Sequence, residues 1–400
     1  MSHKINSQDP LALGRRLQKA RKSLGFTQQW VADHLKIART TLTAIEKGER
    51  VIRPDELVQL AQLYNESINR LLRHPDASGQ SEPFVVQFRK TLSETDGQEI
   101  EHAIHEFQKL CEDYVYLEFL TNSPLSKKYP PVYEIGNFDP VKRAEDVATA
   151  ERNRLGLDDG TIADFAKILE NEVGIRILGM PLPSKIAGLF AYSENLGACI
   201  AINSKHPVDR QLMSRIHEYA HFLTHRMKVN IFVLKKSTTE RFAEAFARFF
   251  LMPASGLQRR FHEIKMTKNG VITPADLLGL ADLYFVSFQT LVFRLEELKL
   301  LPKGTWDNLS EQHFQVRKAQ DILGISQKGG TNEINLPYRY RAMAVQAWNS
   351  GKLSEGQLAK ILRTDRVHAR EIIDNFIDRD TINDQGEEFS VVFEDLSQPI

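Results

Sequence analysis

Two short stretches decide how this chain is read: Arg215-Ile216-His217-Glu218-Tyr219-Ala220-His221-Phe222-Leu223-Thr224-His225 and, downstream, ERFAEAFARFFLMP at 240–253. On a helix, positions four apart share a face, so the imidazoles of His217 and His221 address one point in space. A neutral imidazole nitrogen is a natural zinc ligand, and Glu218, between them, is placed to take a proton from water. Leu212, Ile216, Ala220 and Leu223 repeat at helical spacing around the motif, which predicts a buried helix over about 209–227.

A catalytic zinc needs a third protein ligand. The third histidine and the glycine of the metzincin arrangement are replaced by Met227 and Thr224, so that class is excluded. Two alternatives remain: His225, one turn beyond His221, and Glu240 on the second helix. Glu240 and Glu244 are again four apart, so one carboxylate is able to bind metal while the other supports a ligand histidine. Working outward, extended segments are expected at Ile175–Met180, Ile186–Ala191 and Ala198–Ile202, preceded by helices near 141–156 and 161–173. Ile100, Ile104, Phe107, Leu110 or Cys111, Tyr114 and Leu117 describe a long amphipathic helix. Residues 74–98 read as a linker around a Phe84-Val85-Val86 island, and 121–140 as irregular. Beyond 255 come further helices, with three at 334–377 and a short strand near Phe389–Phe393.

The N-terminal end has a different character. From Met1 to Pro75 there are thirteen Lys/Arg against seven Asp/Glu, within a chain whose 52 basic and 52 acidic residues cancel. Leu13, Leu17, Ala20 and Leu24 define a first helix. Thr27 caps a second carrying Val31, Ala32 and Leu35. Arg39 to Lys47 forms a third with Leu42 and Ile45 inward. Pro54 opens a fourth, and Ile68, Leu71 and Leu72 suggest a fifth. Short helices with a tight turn between the second and third describe a helix-turn-helix. Arg15, Arg16, Lys19, Arg21, Lys22, Lys47 and Arg50 are available to neutralise phosphates.

A length of 400 residues implies several domains, and 42% hydrophobic with 26% charged residues describes a packed protein rather than a disordered or fibrous one. Zero net charge removes a whole-chain attraction to nucleic acid or membrane. Two cysteines, Cys111 and Cys199, fit a reducing compartment. No apolar run approaches membrane-spanning length. The expectation is a soluble, cytoplasmic, multidomain protein.

Residues 27–50, TQQWVADHLKIARTTLTAIEKGER, resemble the Cro/repressor-like (XRE) helix-turn-helix family over about 11–72, with Lys36 where the family usually has glycine. That resemblance implies DNA as partner. Gln28 would meet a phosphate or base edge, and Arg39, Thr40 and Thr43 would read bases. IAINSKHPVDRQLMSRIHEYAHFLTH (200–225) followed by 240–253 resembles the ImmA/IrrE zinc metallopeptidases over roughly 145–300. It implies a gluzincin-like site with Zn2+ on His217, His221 and Glu240, Glu218 as general base and Glu244 as the orienting carboxylate, a position where the family often has Asn or Asp. Tyr219, Tyr192, His206 and His225 all have side chains able to stabilise an oxyanion.

The fold expected is mainly α and multidomain. A helix-turn-helix domain spans 11–73, a linker and long helix 74–140, an α+β gluzincin-like metallopeptidase domain 141–305, and a helical regulatory or partner-binding region 306–400. The function implied is a homodimeric DNA-binding transcriptional regulator, without membrane attachment, whose endopeptidase cleaves a repressor or antitoxin-type protein in a stress, mobile-element or defence circuit. The alternatives are a non-proteolytic metal-binding sensor and an antitoxin-like interaction protein.

Overall fold

The computed structural model describes residues 10–64, 71, 97–136, 139–162, 164–226, 230–231, 237–325, 329–377, 380–382 and 388–390. The linker around Phe84, most of the fifth N-terminal helix and the end of the last strand lie outside these residues. Two compact units emerge, Met1–Ser81 and Glu82–Ile400.

In the first unit, helices run Pro10–Ser23, Gln28–Leu35, Arg39–Glu46 and Pro54–Leu63. The Thr27 hydroxyl caps the second by accepting from the Trp30 N–H. That helix ends at Lys36, whose φ of 55° is left-handed and whose N–H returns to Ala32 and Asp33 carbonyls. A glycine would reach this turn without the cost of roughly 1 kcal/mol that a side chain brings. Leu13, Leu17, Val31, Leu42, Ile45 and Leu60 form the core. Leu24, expected inward, is 45% exposed, because the first helix stops at Ser23 and the chain turns away. Gly14 sits where the first and third helices touch: a Cβ there would lie 2.4 Å from the Ile45 carbonyl oxygen.

The second unit is built on a four-stranded sheet of order β1-β3-β2-β4, with β1 Arg176–Met180, β2 Gly188–Ser193, β3 Gly197–Asn203 and β4 Asn230–Ile231. β1 is parallel to β3, and the β2–β3 and β2–β4 pairs are antiparallel. Side chains alternate across a strand, and here both faces are apolar. Ile177, Phe190, Ala198, Ile200 and Ile202 face one core, shared with the helices Val208–His225 and Thr238–Leu251. Leu178, Met180, Leu189, Ala191, Cys199 and Ala201 face another, closed by the long helix Gly97–Thr121 and by Tyr340, Met343, Leu358 and Ile373 of the C-terminal helices. β3 is therefore buried along its whole length. The outer edge of β1 is covered by Asn335, which exchanges backbone hydrogen bonds of 3.0 and 2.8 Å with Gly179.

The expected helix over 161–173 is a four-residue α-turn, Phe165–Ile168, running into a π-turn, Leu169–Val173. β2 begins at Gly188 rather than Ile186. Asn203 holds the preceding turn, donating from Nδ2 to the Ile186 carbonyl at 2.8 Å and accepting the Leu182 N–H at 3.2 Å. The C-terminal helices Tyr338–Asn349, Glu355–Ile361 and Arg366–Ile377 match the expected three.

Candidate metal centre and nucleic-acid face

The helix Val208–His225 lies with Ile216, Tyr219, Ala220 and Leu223 in the core under the sheet, which turns His217 and His221 toward the helix Thr238–Leu251. Ser237 starts that helix by accepting the Glu240 N–H, so Glu240 stands in its first turn facing the two histidines. His217 Nε2 is 3.0 Å from Glu240 Oε2, His221 Nε2 is 3.1 Å from His217 Nε2, and His221 Nε2 is 3.4 Å from Glu240 Oε1. Among the described residues, this is the group of His, Cys, Asp or Glu whose donor atoms converge closely enough for one ion. Ligand atoms around a tetrahedral ion with bonds of ~2.0–2.1 Å stand roughly 3.3 Å apart, so spacing and donor set both fit zinc. Burial drives the His217 pKa down to about 4, despite the pull of Glu240, and so keeps the imidazole neutral. Burial also opposes ionisation of Glu240, but hydrogen bonds from both histidines outweigh it and bring its pKa to about 2.

Glu218 is completely buried, and neither carboxylate oxygen has a hydrogen-bond partner. An unpartnered buried carboxylate is costly, and burial, then the charge of Glu240, raises its proton affinity well above that of an ordinary glutamate. The start of β2 is shaped around it. A Cβ on Gly188 would lie 2.9 Å from Glu218 Oε1 and 3.2 Å from the Ala201 carbonyl oxygen. No sequence signal marked Gly188, since its role depends on β2 crossing the helix.

Glu244 stands apart from the three converging residues. It is exposed one turn beyond Glu240 and makes no hydrogen bond to either histidine. Tyr219 corrects an expectation. Its hydroxyl donates to Glu151 and accepts from Arg154 at 2.9 Å, on the core side of the helix. His206 is buried in the turn after β3, its Nε2 3.3 Å from the Ser184 carbonyl oxygen, and Tyr192 packs edge-on against Tyr129. His225 is not one of the converging donors. It lines a cavity of about 540 Å3 beside the centre, with Tyr133, Glu134, Ile135, Gly136, Thr224, Thr238 and Thr239.

In the first unit Arg39 and Thr40 are exposed at the start of the third helix, where Ala38 provides no side-chain cap. Thr43 is half-buried and donates to the Arg39 carbonyl at 2.9 Å. Gln28 is half-buried and donates to Glu46 Oε2 at 2.8 Å, which ties the start of the second helix to the third. Arg21 is buried on Glu46, with bonds of 2.6 and 3.0 Å, and is not available to a phosphate. Arg50 is engaged by Glu56 at 3.0 Å. The signal for Arg21 was present in the sequence, because it lies on the Leu17–Ala20 face of the first helix.

Comparison with known families places a helix-turn-helix domain at residues 14–76 and an IrrE N-terminal-like domain at 170–296. The HTH-type transcriptional regulator ImmR of Bacillus subtilis (strain 168) is 34% identical over 84 residues. That match covers 21% of this chain and 65% of the relative, slightly less than two thirds of its length. Among solved structures, ComR from Streptococcus suis aligns over 91% of this chain and 87% of its own, at 10% identity and a TM-score of 0.15, too low for any structural argument. The chain joins an XRE-type helix-turn-helix domain to an ImmA/IrrE-like peptidase domain. Among the described residues no single helix is long and apolar enough to cross a membrane.

Proposed function

We propose that this protein is a DNA-binding transcriptional regulator whose central domain is a zinc-dependent endopeptidase acting on a repressor or antitoxin-type protein. One observation carries the catalytic half: Glu218, fully buried with two unpartnered carboxylate oxygens, on the helix whose His217 and His221 converge with Glu240. His217, His221 and Glu240 would hold the ion. When bound, zinc supplies Lewis-acid polarisation of a peptide carbonyl and makes water more acidic. Glu218 takes the proton from the attacking water at its carboxylate and passes it to the leaving amine. Glu218 is fully buried, with the start of β2 at Gly188 lying against its carboxylate.

The regulatory half is supported by the exposed Arg39 and Thr40 on a helix-turn-helix and by the likeness to ImmR. Arg39 is of the residue type that bonds a guanine edge bidentately. Such modules commonly bind paired half-sites, so a homodimer is part of the proposal.

The test is metal content and proteolysis together. Purified protein should carry about one zinc per chain, lost in His221→Ala and in Glu240→Ala. Glu218→Gln should keep the zinc and lose the ability to cut a partner protein from the same cell. Well-folded protein that takes up no zinc would overturn the catalytic half, as would a Glu218→Gln variant that cuts like wild type.

A further inference from the structure

The cavity beside the metal centre is placed by the same contacts that form it. His221 and Glu240 meet at 3.4 Å, fixing the two helices at that level. Thr224 and His225 lie three and four residues beyond His221, and Thr238 and Thr239 just before Glu240, so these four lining residues are within about one helical turn of the ligands. The remaining wall is the segment Tyr133–Gly136, fastened to the last turn of the HEYAH helix by the Tyr133 N–H donating to the Leu223 carbonyl at 2.8 Å. The Tyr133 hydroxyl donates to Glu151 at 2.8 Å, which fixes the ring as a side wall. The Thr224 hydroxyl proton is committed to the Ala220 carbonyl, so His225 Nδ1 donates to Thr224 Oγ1 at 2.9 Å.

Among the described residues of this lining, Glu134 is the one carboxylate. It is exposed, and no hydrogen bond or ion pair of its carboxylate is found among the described residues. The neighbouring Arg143 is held instead by the Glu134 backbone carbonyl at 3.1 Å. Hydroxyls and one imidazole within a turn of the metal ligands, with a single acidic group on the Tyr133–Gly136 wall, suit a long side chain ending in a cation.

We propose that this cavity receives a lysine or arginine side chain of the peptide substrate close to the scissile bond, with Glu134 as the specificity-determining residue. The proposal rests on the reading of the centre as a peptidase, so its test reads binding rather than turnover. The full chain carrying Glu218→Gln and loaded with zinc is titrated with two alanine-based hexapeptides, one with a central lysine and one with a central glutamate. A partly exposed ion pair corresponds to about a fivefold preference for the lysine peptide. Adding Glu134→Lys should invert that preference, and Glu134→Gln should bring the two peptides close to parity. Equal binding of both peptides, or a preference that survives Glu134→Lys, overturns the proposal. Failure of the peptidase reading is a separate observation: zinc-loaded wild type would cut nothing in a mixed peptide library, whatever the two hexapeptides do.

Discussion

Two buried glutamates, one in each unit, show how the same side chain serves opposite ends. Glu46 in the helix-turn-helix is 2% exposed and surrounded by donors: Arg21 at 2.6 and 3.0 Å, Gln28 at 2.8 Å and Gln18 at 3.5 Å. Burial pushes its pKa up, but those bonds and the Arg21 charge hold it below the ordinary value. Glu218 is equally buried and has no partner, and its proton affinity rises instead. A saturated carboxylate locks a fold. A bare one is held ready to exchange a proton, and its cost must be met by the packing around it.

The sharpest way to break this contrast is to remove both charges. Glu218→Gln should lower peptide hydrolysis by about 10²–10⁴-fold, with zinc content unchanged and a thermal midpoint equal to or above wild type, since a bare buried carboxylate is replaced by a neutral amide. At Glu46 the telling change removes its partner instead and acts on stability. Arg21→Met leaves Glu46 buried without its main counter-charge, and breaking such a pair costs about 3–5 kcal/mol. Chemical denaturation followed through the lone Trp of the first unit, Trp30, should show that unit unfolding early and operator binding lost with it. The double change Arg21→Met with Glu46→Leu should recover most of the loss, because no unpaired charge remains.

pH sharpens the same comparison. The pKa of Glu46 is lowered in the folded protein, so its contribution is fully present above the unfolded value near 4.5 and is lost as pH falls through the folded value. Acid titration of the N-terminal unit should therefore show stability falling below about pH 4.5. Glu46→Gln should flatten that limb. A wild-type curve with no such limb would mean that the Arg21–Glu46 pair does not support the fold.

Gly188→Ala probes how Glu218 is seated. The new methyl would meet Glu218 Oε1 at 2.9 Å, and overpacking of this kind costs about 1–3 kcal/mol. Glu218 is the movable neighbour, so activity should fall by roughly tenfold while the histidines and Glu240 still bind zinc. Unchanged activity would show that the carboxylate has room the structure does not provide.

Much of this was legible in the sequence, for identifiable reasons. Four-residue spacing put His217 with His221, which follows from helix periodicity. Spacing left the third ligand open between His225 and Glu240, and only the resemblance of 200–253 to the ImmA/IrrE metallopeptidases pointed to Glu240. Thr27, Leu42 and Ile45 followed from capping and amphipathic spacing. Gly188 was not legible, because its role is a crossing between a strand and a helix thirty residues away in sequence. Nor could the apolar face of the long helix name its partner: periodicity says that Phe107, Cys111 and Tyr114 are covered, and only the fold says that the sheet and the C-terminal helices cover them. Residue type alone makes Arg21 a phosphate contact, whereas Glu46 draws it inward; Gln28, placed by the family resemblance, also donates to Glu46 but stays half-buried.

The smallest expected effect belongs to Glu244, where spacing and structure disagree most directly. Four residues after Glu240, it shares that ligand's helical face, yet it is exposed and bonds to neither histidine. Partial burial of its carboxylate first, then repulsion from Glu240, raises its pKa. A surface change of this kind is usually within ±0.5 kcal/mol. Glu244→Gln should therefore leave zinc content, thermal midpoint and hydrolysis close to wild type. If zinc affinity instead fell by the 10–100-fold that loss of an orienting partner brings, Glu244 would have to swing onto a histidine when the ion binds, and the contrast between saturated and bare carboxylates would need a third, conditional case.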